Sequence, residues 1–463
     1  MPALRVLTPT RRARVLLWAP SLYDGGFKQH HIDGEALALY AHLRARGHHV
    51  RLLDAYNRAA DTPPLADVLA DGGFDVLIVH LWTSDAYGPR LAEIADELAA
   101  ARFRHAVAVL GFGPLATSAA PELRAHGAVD HVVGLHPDSR PARDPLVAAV
   151  AADAADALRG HTPLLDLTAD DVARQPGAVV SVSASRGCRS RCAFCAYNAD
   201  LGAGWTELPI DAAVADIAHL HRLTGATRFS MADVDFGGTR DACIRRAAQL
   251  RDALHRHDLA GRVGLSMNIR SETLTGDSIH LLAEAGVDVL LMGVESLNPD
   301  TLHRLYGKRQ DLDHLRRVVA AADAAGITTV ASYILWHPWQ TLPALRAELA
   351  ALDGFGRHRV PQFLARSRLL VIPGTLAERR IRDDGLLDAA PFHRSFRFAD
   401  PAVADLDAEL SAWYAHHVRP ALGQLHESRP GDMTRLAELK LAEWQWFTDL
   451  LDIPTRQSAG AAR

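Results

Sequence analysis

The chain has 463 residues, of which 48% are hydrophobic and 23% charged, and a formal net charge of −5. That length supports two or three domains with buried cores, and the acidic balance gives no footprint for nucleic acid, pointing instead to small molecules or peptides. No stretch approaches the roughly 20 apolar residues of a membrane span, Val15–Ala19 is too short for a signal-peptide core, and four cysteines make no disulfide framework. A reducing cytoplasm is therefore the expected compartment.

Residues 14–20 (RVLLWAP) read as a buried strand and 34–47 as an amphipathic helix stopped by Gly47. Residues 48–55, 75–82 and 106–114 read as further strands. Apolar strands alternating with helical patterns predict an open, doubly wound parallel sheet over residues 1–145. Such sheets bind ligands at the carboxyl ends of their strands, here the loops 21–33, 82–87 and 111–116. A helical stretch (144–160) leads into a linker, set at 146–177. Strand-like runs then recur at 178–187, 227–234, 262–269, 287–295, 327–336 and 362–374, separated by helical patterns. Six βα units predict a partial (β/α)6 barrel over 178–375, with its site at the strand C-termini. Residues 376–463 read as mostly helical and carry Trp413, Tyr414, Trp444, Trp446 and Phe447.

The segment RGCRSRCAFCAYN (186–198) holds Cys188, Cys192 and Cys195, directly after the first strand of the second series. A disulfide needs pairs, and a structural zinc site normally takes four ligands. A Cys-x3-Cys-x2-Cys loop can instead hold three irons of a 4Fe–4S cluster and leave the fourth without a protein ligand. Arg186, Arg189 and Arg191 add positive charge that favours thiolates. The alternatives are a zinc site or scattered thiols. Cys243, in a helical run, reads as a buried structural cysteine, or as a fourth ligand if the fold returns it to the loop.

In these cysteines the chain resembles the radical S-adenosylmethionine (SAM) enzymes, down to an aromatic, Phe194, just before the third cysteine. The resemblance implies that SAM chelates the open iron and is cleaved by an electron to methionine and a 5′-deoxyadenosyl radical. It also implies SAM contacts at strand ends: Asp233 in MADVDFGG (231–238), Ser266, Asn268 and Arg270 in SMNIR (266–270), and Gly293 and Glu295 in LLMGVES (290–296). PGT (373–375) closes the sixth strand as in many relatives. Where relatives carry a glycine-containing turn after strand five, this chain has YILWHPWQT (333–341). Trp336 and Trp339 then either reshape a substrate pocket or pack against the C-terminal helices, and His337 is the candidate catalytic residue, as a proton relay.

Residues 14–137 resemble the cobalamin-binding domain that precedes the barrel in one class of these enzymes. The shared features are a first strand ending in proline, an Arg-Leu-Leu-Asp-Ala second strand and a Gly-x-Gly-Pro turn at 111–114. The resemblance implies corrin contacts at Trp82, Thr83, Ser84, Gly111 and Gly113. Two features depart from it. GLHP (134–137) stands where relatives have acidic residues, and QHHIDG (29–34) is only a degenerate cobalt-ligand motif, with His31 at the histidine position. The implied function is a cobalamin-dependent C-methyltransferase acting on an unactivated carbon of a specialised-metabolite or peptide substrate, with an electron donor such as flavodoxin or ferredoxin. The alternatives are a radical rearrangement, ring contraction, epimerisation or bond cleavage without methyl transfer, or a non-catalytic iron–sulfur or corrin sensor.

Overall fold

Five apolar runs near the N-terminus pair side by side in a computed structural model of the chain, which describes residues 12–20, 31–55, 63–82, 88–134, 143–172, 179–197, 204–422, 424–425 and 430–452. In chain order the strands are β1 (Arg14–Ala19), the two-residue β2 (His31–Ile32), β3 (His49–Asp54), β4 (Val76–His80), β5 (Ala108–Phe112) and β6 (His131–Val133). All but β2 join one parallel sheet in the order β3-β1-β4-β5-β6. This is a doubly wound order, and the direction of winding reverses between β1 and β4, where such sheets hold their ligands. Alternate residues of β1 serve two cores. Val15 and Leu17 face a core shared with the second sheet, and Leu16 and Trp18 face one shared with the helix Pro89–His105.

The second series gives β7 (Val179–Val182), β8 (Ser185–Cys188), β9 (Gly204–Glu207), β10 (Arg228–Met231), β11 (Gly264–Ile269), β12 (Val287–Glu295) and β13 (Thr328–Tyr333). The sheet runs β13-β12-β11-β10-β7-β2, every pair parallel, while β8 and β9 form a separate antiparallel pair. Burial alternates along β11. Leu265, Met267 and Ile269 are buried in the core, while Ser266 and Asn268 are only half-buried. Threonines cap the helices between and after these strands. Thr239, Thr275, Thr341 and Thr375 each accept a backbone N–H at their helix start.

The partial barrel is present, but its sixth strand is not the one expected. Residues 362–374 form no strand and make a single bridge, Arg368 with Trp336. The sixth position is filled at the opposite edge by β2, whose His31 and Ile32 backbones pair with Val179 and Val180. That juncture is tight. Gly34 N–H donates to Ser181 Oγ at 2.8 Å, and Ser181 Oγ donates to Ile32 O at 3.2 Å. A Cβ on Gly34 would overlap the Ser181 carbonyl. Gly34→Ala is therefore expected to push β2 off β7 and cost about 1–3 kcal/mol, the usual range for overpacking. A lowered urea midpoint with unchanged slope is the measurement that checks it.

The C-terminal part contains a hairpin that the sequence reading missed, β14 (Leu387–Ala390) and β15 (His393–Phe396), ahead of the helices Pro401–His417 and Pro430–Leu450. Phe392, at the hairpin tip, is buried in the core of the N-terminal sheet, edge-on to His126 at 5.3 Å. Its N–H donates to Glu122 Oε2 at 3.1 Å. The hairpin thus clasps the N-terminal sheet to the rest of the chain.

Candidate active site

A cavity of ≈ 2060 Å³ lies where the ends of the two sheets meet. Small-molecule pockets usually measure about 300–1,000 Å³, so this one has room for more than one ligand. Its wall includes Cys188, Cys192 and Cys195 from the cysteine loop, and Trp82 and Gly113 from the ends of the N-terminal strands.

The cysteine loop is held from several sides. Gly187, at φ 73°, lets β8 approach β9 where a Cβ would overlap the Gly204 carbonyl. Ala193 N–H donates to Tyr306 O and Ala377 N–H to Ala193 O, both at 2.8 Å. Phe194 packs edge-on to Tyr306 at 5.3 Å. None of the cysteines is in a disulfide. Among the described residues no three His, Cys, Asp or Glu side chains are arranged to hold a single metal ion. Burial pushes the Cys192 thiol up to about 12; Lys308 opposes this, and Cys195, Glu295 and Cys188 reinforce it. Cys188 and Cys192 both resist ionisation in the protein, with Cys195 close to Cys192, and such a group suits a polynuclear cation, whose charge would deprotonate the thiols. Cys243 is buried in the helix Arg240–Arg256 and is absent from the cavity wall. The three expected arginines do not surround the thiols. Arg189 and Arg191 are exposed and off the cavity wall, and Arg186 pairs with Glu35.

Of the other strand-end residues, Asp233 fits a ligand-binding role best. It is buried on the cavity wall and accepts from Ala184 N–H at 3.1 Å, while its Oδ2 has no hydrogen-bond partner. Burial pushes its carboxyl up to about 6 against the pull of Ser185 and Arg246. An ammonium or hydroxyl donor in the cavity would relieve that orphaned oxygen. Asn268 also lines the cavity; Ser266, lower on the same strand, does not. Arg270 lines it but is already committed. Nε donates to Asp235 at 2.8 Å, Nη1 to Ser190 Oγ at 3.2 Å and Nη2 to Gly238 O at 2.6 Å. It clamps the cysteine loop, and this replaces the expectation of a free ligand contact.

Glu295 ends β12 at φ 68° in a β-bulge, and the bulge aims its carboxylate into the cavity. It accepts from Ser332 Oγ at 3.2 Å and lies 3.7 Å from Lys308 Nζ. Gly293 makes room for this pair, since a Cβ there would sit 2.6 Å from Glu295 Oε1 and 3.0 Å from Lys308 Nζ. Lys308, which also bonds Gly293 O, escaped the sequence reading. The only available signal was a lysine following a glycine shortly after the Gly-Val-Glu-Ser run. Arg246 was missed too. It is buried beneath the loop, donating to Phe236 O at 3.0 Å and Ala184 O at 2.6 Å.

Gly113, at φ 102°, lines the cavity, and a Cβ there would lie 2.6 Å from Leu81 O. Gly111 is off the wall; a Cβ on it would press Ala116 and Val132 at 3.2 and 3.3 Å, so it serves packing. Thr83 and Ser84 lie outside the described residues. The proton-relay expectation for His337 is corrected. The ring is buried off the cavity wall, edge-on to Tyr306, and burial pulls it down to about 4, with Gln340 opposing. Trp336 is fully buried, donates to Leu364 O at 2.9 Å and packs on Phe398 and Phe447. Trp339 bonds Asp384. The tryptophans belong to the packing, and the pocket reading is set aside.

Residues 182–342 match the Radical SAM superfamily model. No curated protein matches the sequence. The radical SAM methyltransferase TsrM from Kitasatospora setae, solved with cobalamin and a [4Fe–4S] cluster bound, is similar in structure with a TM-score of 0.66 at 15% identity, covering 95% of this chain and 100% of TsrM. The cobalamin-dependent SAM radical enzyme OxsB, solved with aqua-cobalamin and SAM, is similar with a TM-score of 0.68 at 14% identity, covering 96% of this chain and 72% of OxsB. TsrM with tryptophan and a SAM analogue matches at 0.58 and 16%, covering 74% of this chain and 71% of TsrM. The chain is thus an enzyme that carries a radical SAM domain at residues 182–342 behind a doubly wound sheet, in a fold shared with the cobalamin-dependent radical SAM enzymes.

Proposed function

We propose that this enzyme is a cobalamin-dependent C-methyltransferase acting on an unactivated carbon of a specialised-metabolite or peptide substrate. The observation that carries the reading is the single cavity walled by the three cysteines and by the ends of the N-terminal strands. Cys188, Cys192 and Cys195 would hold a 4Fe–4S cluster, and Asp233, Asn268 and Glu295 would receive SAM. Trp82 and Gly113 would face the corrin, with Thr83 and Ser84 in the same segment. When bound, the cluster with SAM supplies a radical that removes a hydrogen, and the corrin supplies a methyl group. The chain's part is to hold these groups and the substrate in one enclosure, so that a carbon radical meets a methyl donor before solvent.

In this reading residues 1–145 form the corrin domain, 146–177 a linker, 178–375 the catalytic barrel and 376–463 the helical cover. A flavodoxin or ferredoxin in the cytoplasm would supply electrons. The related structures holding cobalamin, and in one case tryptophan, support the assignment of ligand classes. No helix among the described residues is long and apolar enough to cross a membrane.

The test is anaerobic reconstitution with iron, sulfide and hydroxocobalamin, followed by an absorption spectrum that resolves cluster from corrin. Both bands are expected, and products should gain the mass of one methyl group. A cluster without corrin would overturn the methyl-transfer assignment in favour of rearrangement, ring contraction, epimerisation or bond cleavage.

A further inference from the structure

His80 ends β4, a histidine closing an otherwise apolar strand, and it is completely buried. Its Nδ1 lies 3.0 Å from Asp33 Oδ2 and its Nε2 3.2 Å from Glu35 Oε2. Burial disfavours the imidazolium, but the two carboxylates outweigh it and push His80 up to about 10. The other oxygen of Glu35, Oε1, lies 3.2 Å from Arg186 Nη1. Arg186 Nη2 in turn donates to Ala157 O at 3.1 Å and Gly160 O at 3.4 Å, the end of the helix Pro145–Ala157. Burial also works against the Glu35 carboxylate, yet His80 and Arg186 hold it below its ordinary range.

This chain of charges has a particular address. His80 stands two residues before Trp82, and Arg186 two residues before Cys188. The Glu35 side chain touches both. It sits in the first turn of the helix Gly34–Ala45, immediately after β2 is fixed to β7. Asp33, Glu35 and Arg186 also line the cavity, so the chain spans the active-site wall rather than a remote part of the core. A buried ion pair is weak evidence for stability, since apolar packing would serve as well or better. Its better-attested use is to fix one register among alternatives, because each partner tolerates few other geometries.

We infer that Glu35 is a positioning residue: bridging His80 at the end of the N-terminal sheet and Arg186 on the cysteine loop, it sets how far apart the two ligand sites stand. The inference rests on the cofactor assignment proposed above. A fixed separation matters because misplacing reacting groups by about 1 Å can cost on the order of a hundredfold in rate.

The test uses the full chain, reconstituted with cluster and hydroxocobalamin and then reduced, with electron paramagnetic resonance as the readout. Glu35→Gln is close in shape but lacks the charge that satisfies both partners. It is expected to take up iron and corrin like wild type. Its reduced-cluster signal should be broader, and the magnetic interaction between cob(II)alamin and cluster weaker or more widely spread. Glu35→Asp should restore part of that interaction. If Glu35→Gln does not fold, Arg186→Lys carries the same test, because it keeps the charge and loses the fork to Ala157 and Gly160. Line shape and interaction identical to wild type in the folded variant would overturn the inference. Wild type with cluster but no corrin would overturn the proposed function, and the cluster line shape alone would then decide on Glu35. Wild type without a cluster would overturn both.

Discussion

A Cys192→Ala variant is expected to lose nearly all its iron and sulfide on anaerobic reconstitution, and with them reductive cleavage of SAM, whereas Cys243→Ala keeps both. The asymmetry follows from where the thiols stand. Cys192 is close enough to Cys188 and Cys195 for each to disfavour its ionisation, and all three share the cavity wall. Two remaining thiols leave a cluster short of protein ligands on a second iron, and Lys308 would then face Glu295 without the third anionic partner that a thiolate supplies. Cys243 sits in another environment, buried in a helix beside Thr273 and Ser278, where burial pushes its thiol up to about 11. Truncating it removes one buried sulfur and costs about 1 kcal/mol of packing. Iron and acid-labile sulfide per chain, measured on the two variants together, check the prediction. Loss of iron from Cys243→Ala would instead mean a fourth protein ligand and no open corner for SAM.

Much of this architecture was legible because the strands of parallel sheets are buried on both faces and read as apolar runs. Val76–His80 and Ala108–Phe112 announce themselves in this way. The cysteine loop was legible by spacing, since its chemistry is local. What escaped depends on partners distant in sequence. The two-residue β2 is too short for any periodicity to register, and its place in the barrel is set by Ser181, about 150 residues away. The apolar run 362–374 has the composition of a strand, yet Ser367 spends its polar groups on the turn at Leu335 and Trp336, so no ladder forms. Trp336 sits where relatives have a glycine, but Phe398 and Phe447, which swallow it, come much later in the chain. His80 was also missed, although it carried a visible signal. A histidine closing an apolar strand must find partners or stay unpaired in the core, and it found Asp33 and Glu35.

Arg270→Ala should be the most destabilising single change at the site, by about 3–5 kcal/mol, because it strands a buried charge. Asp235 is fully buried and has Arg270 as its ion-pair partner, with Nε at 2.8 Å from Oδ2. Its remaining donors are the Gly237 and Arg270 main-chain N–H groups, at 3.2 and 3.3 Å. The Asp235 carbonyl also anchors the loop, accepting from Trp205 Nε1 at 2.7 Å and Ser185 Oγ at 3.1 Å. Losing the guanidinium removes the Ser190 and Gly238 bonds as well, so the segment carrying Cys188 loosens along with the core. Arg270→Lys keeps the charge but cannot reach three acceptors from one plane, and should fall between the variant and wild type. Adding Asp235→Asn to Arg270→Ala should recover part of the loss, since a neutral amide is cheaper to bury than an unpaired carboxylate. Thermal unfolding is the measurement. For a unit of 150–250 residues the single variant should melt roughly 6–20 °C lower, and the double variant should regain some of that interval. A single variant within 1 kcal/mol of wild type would mean that the loop is held by its backbone contacts to Tyr306 and Ala377 instead.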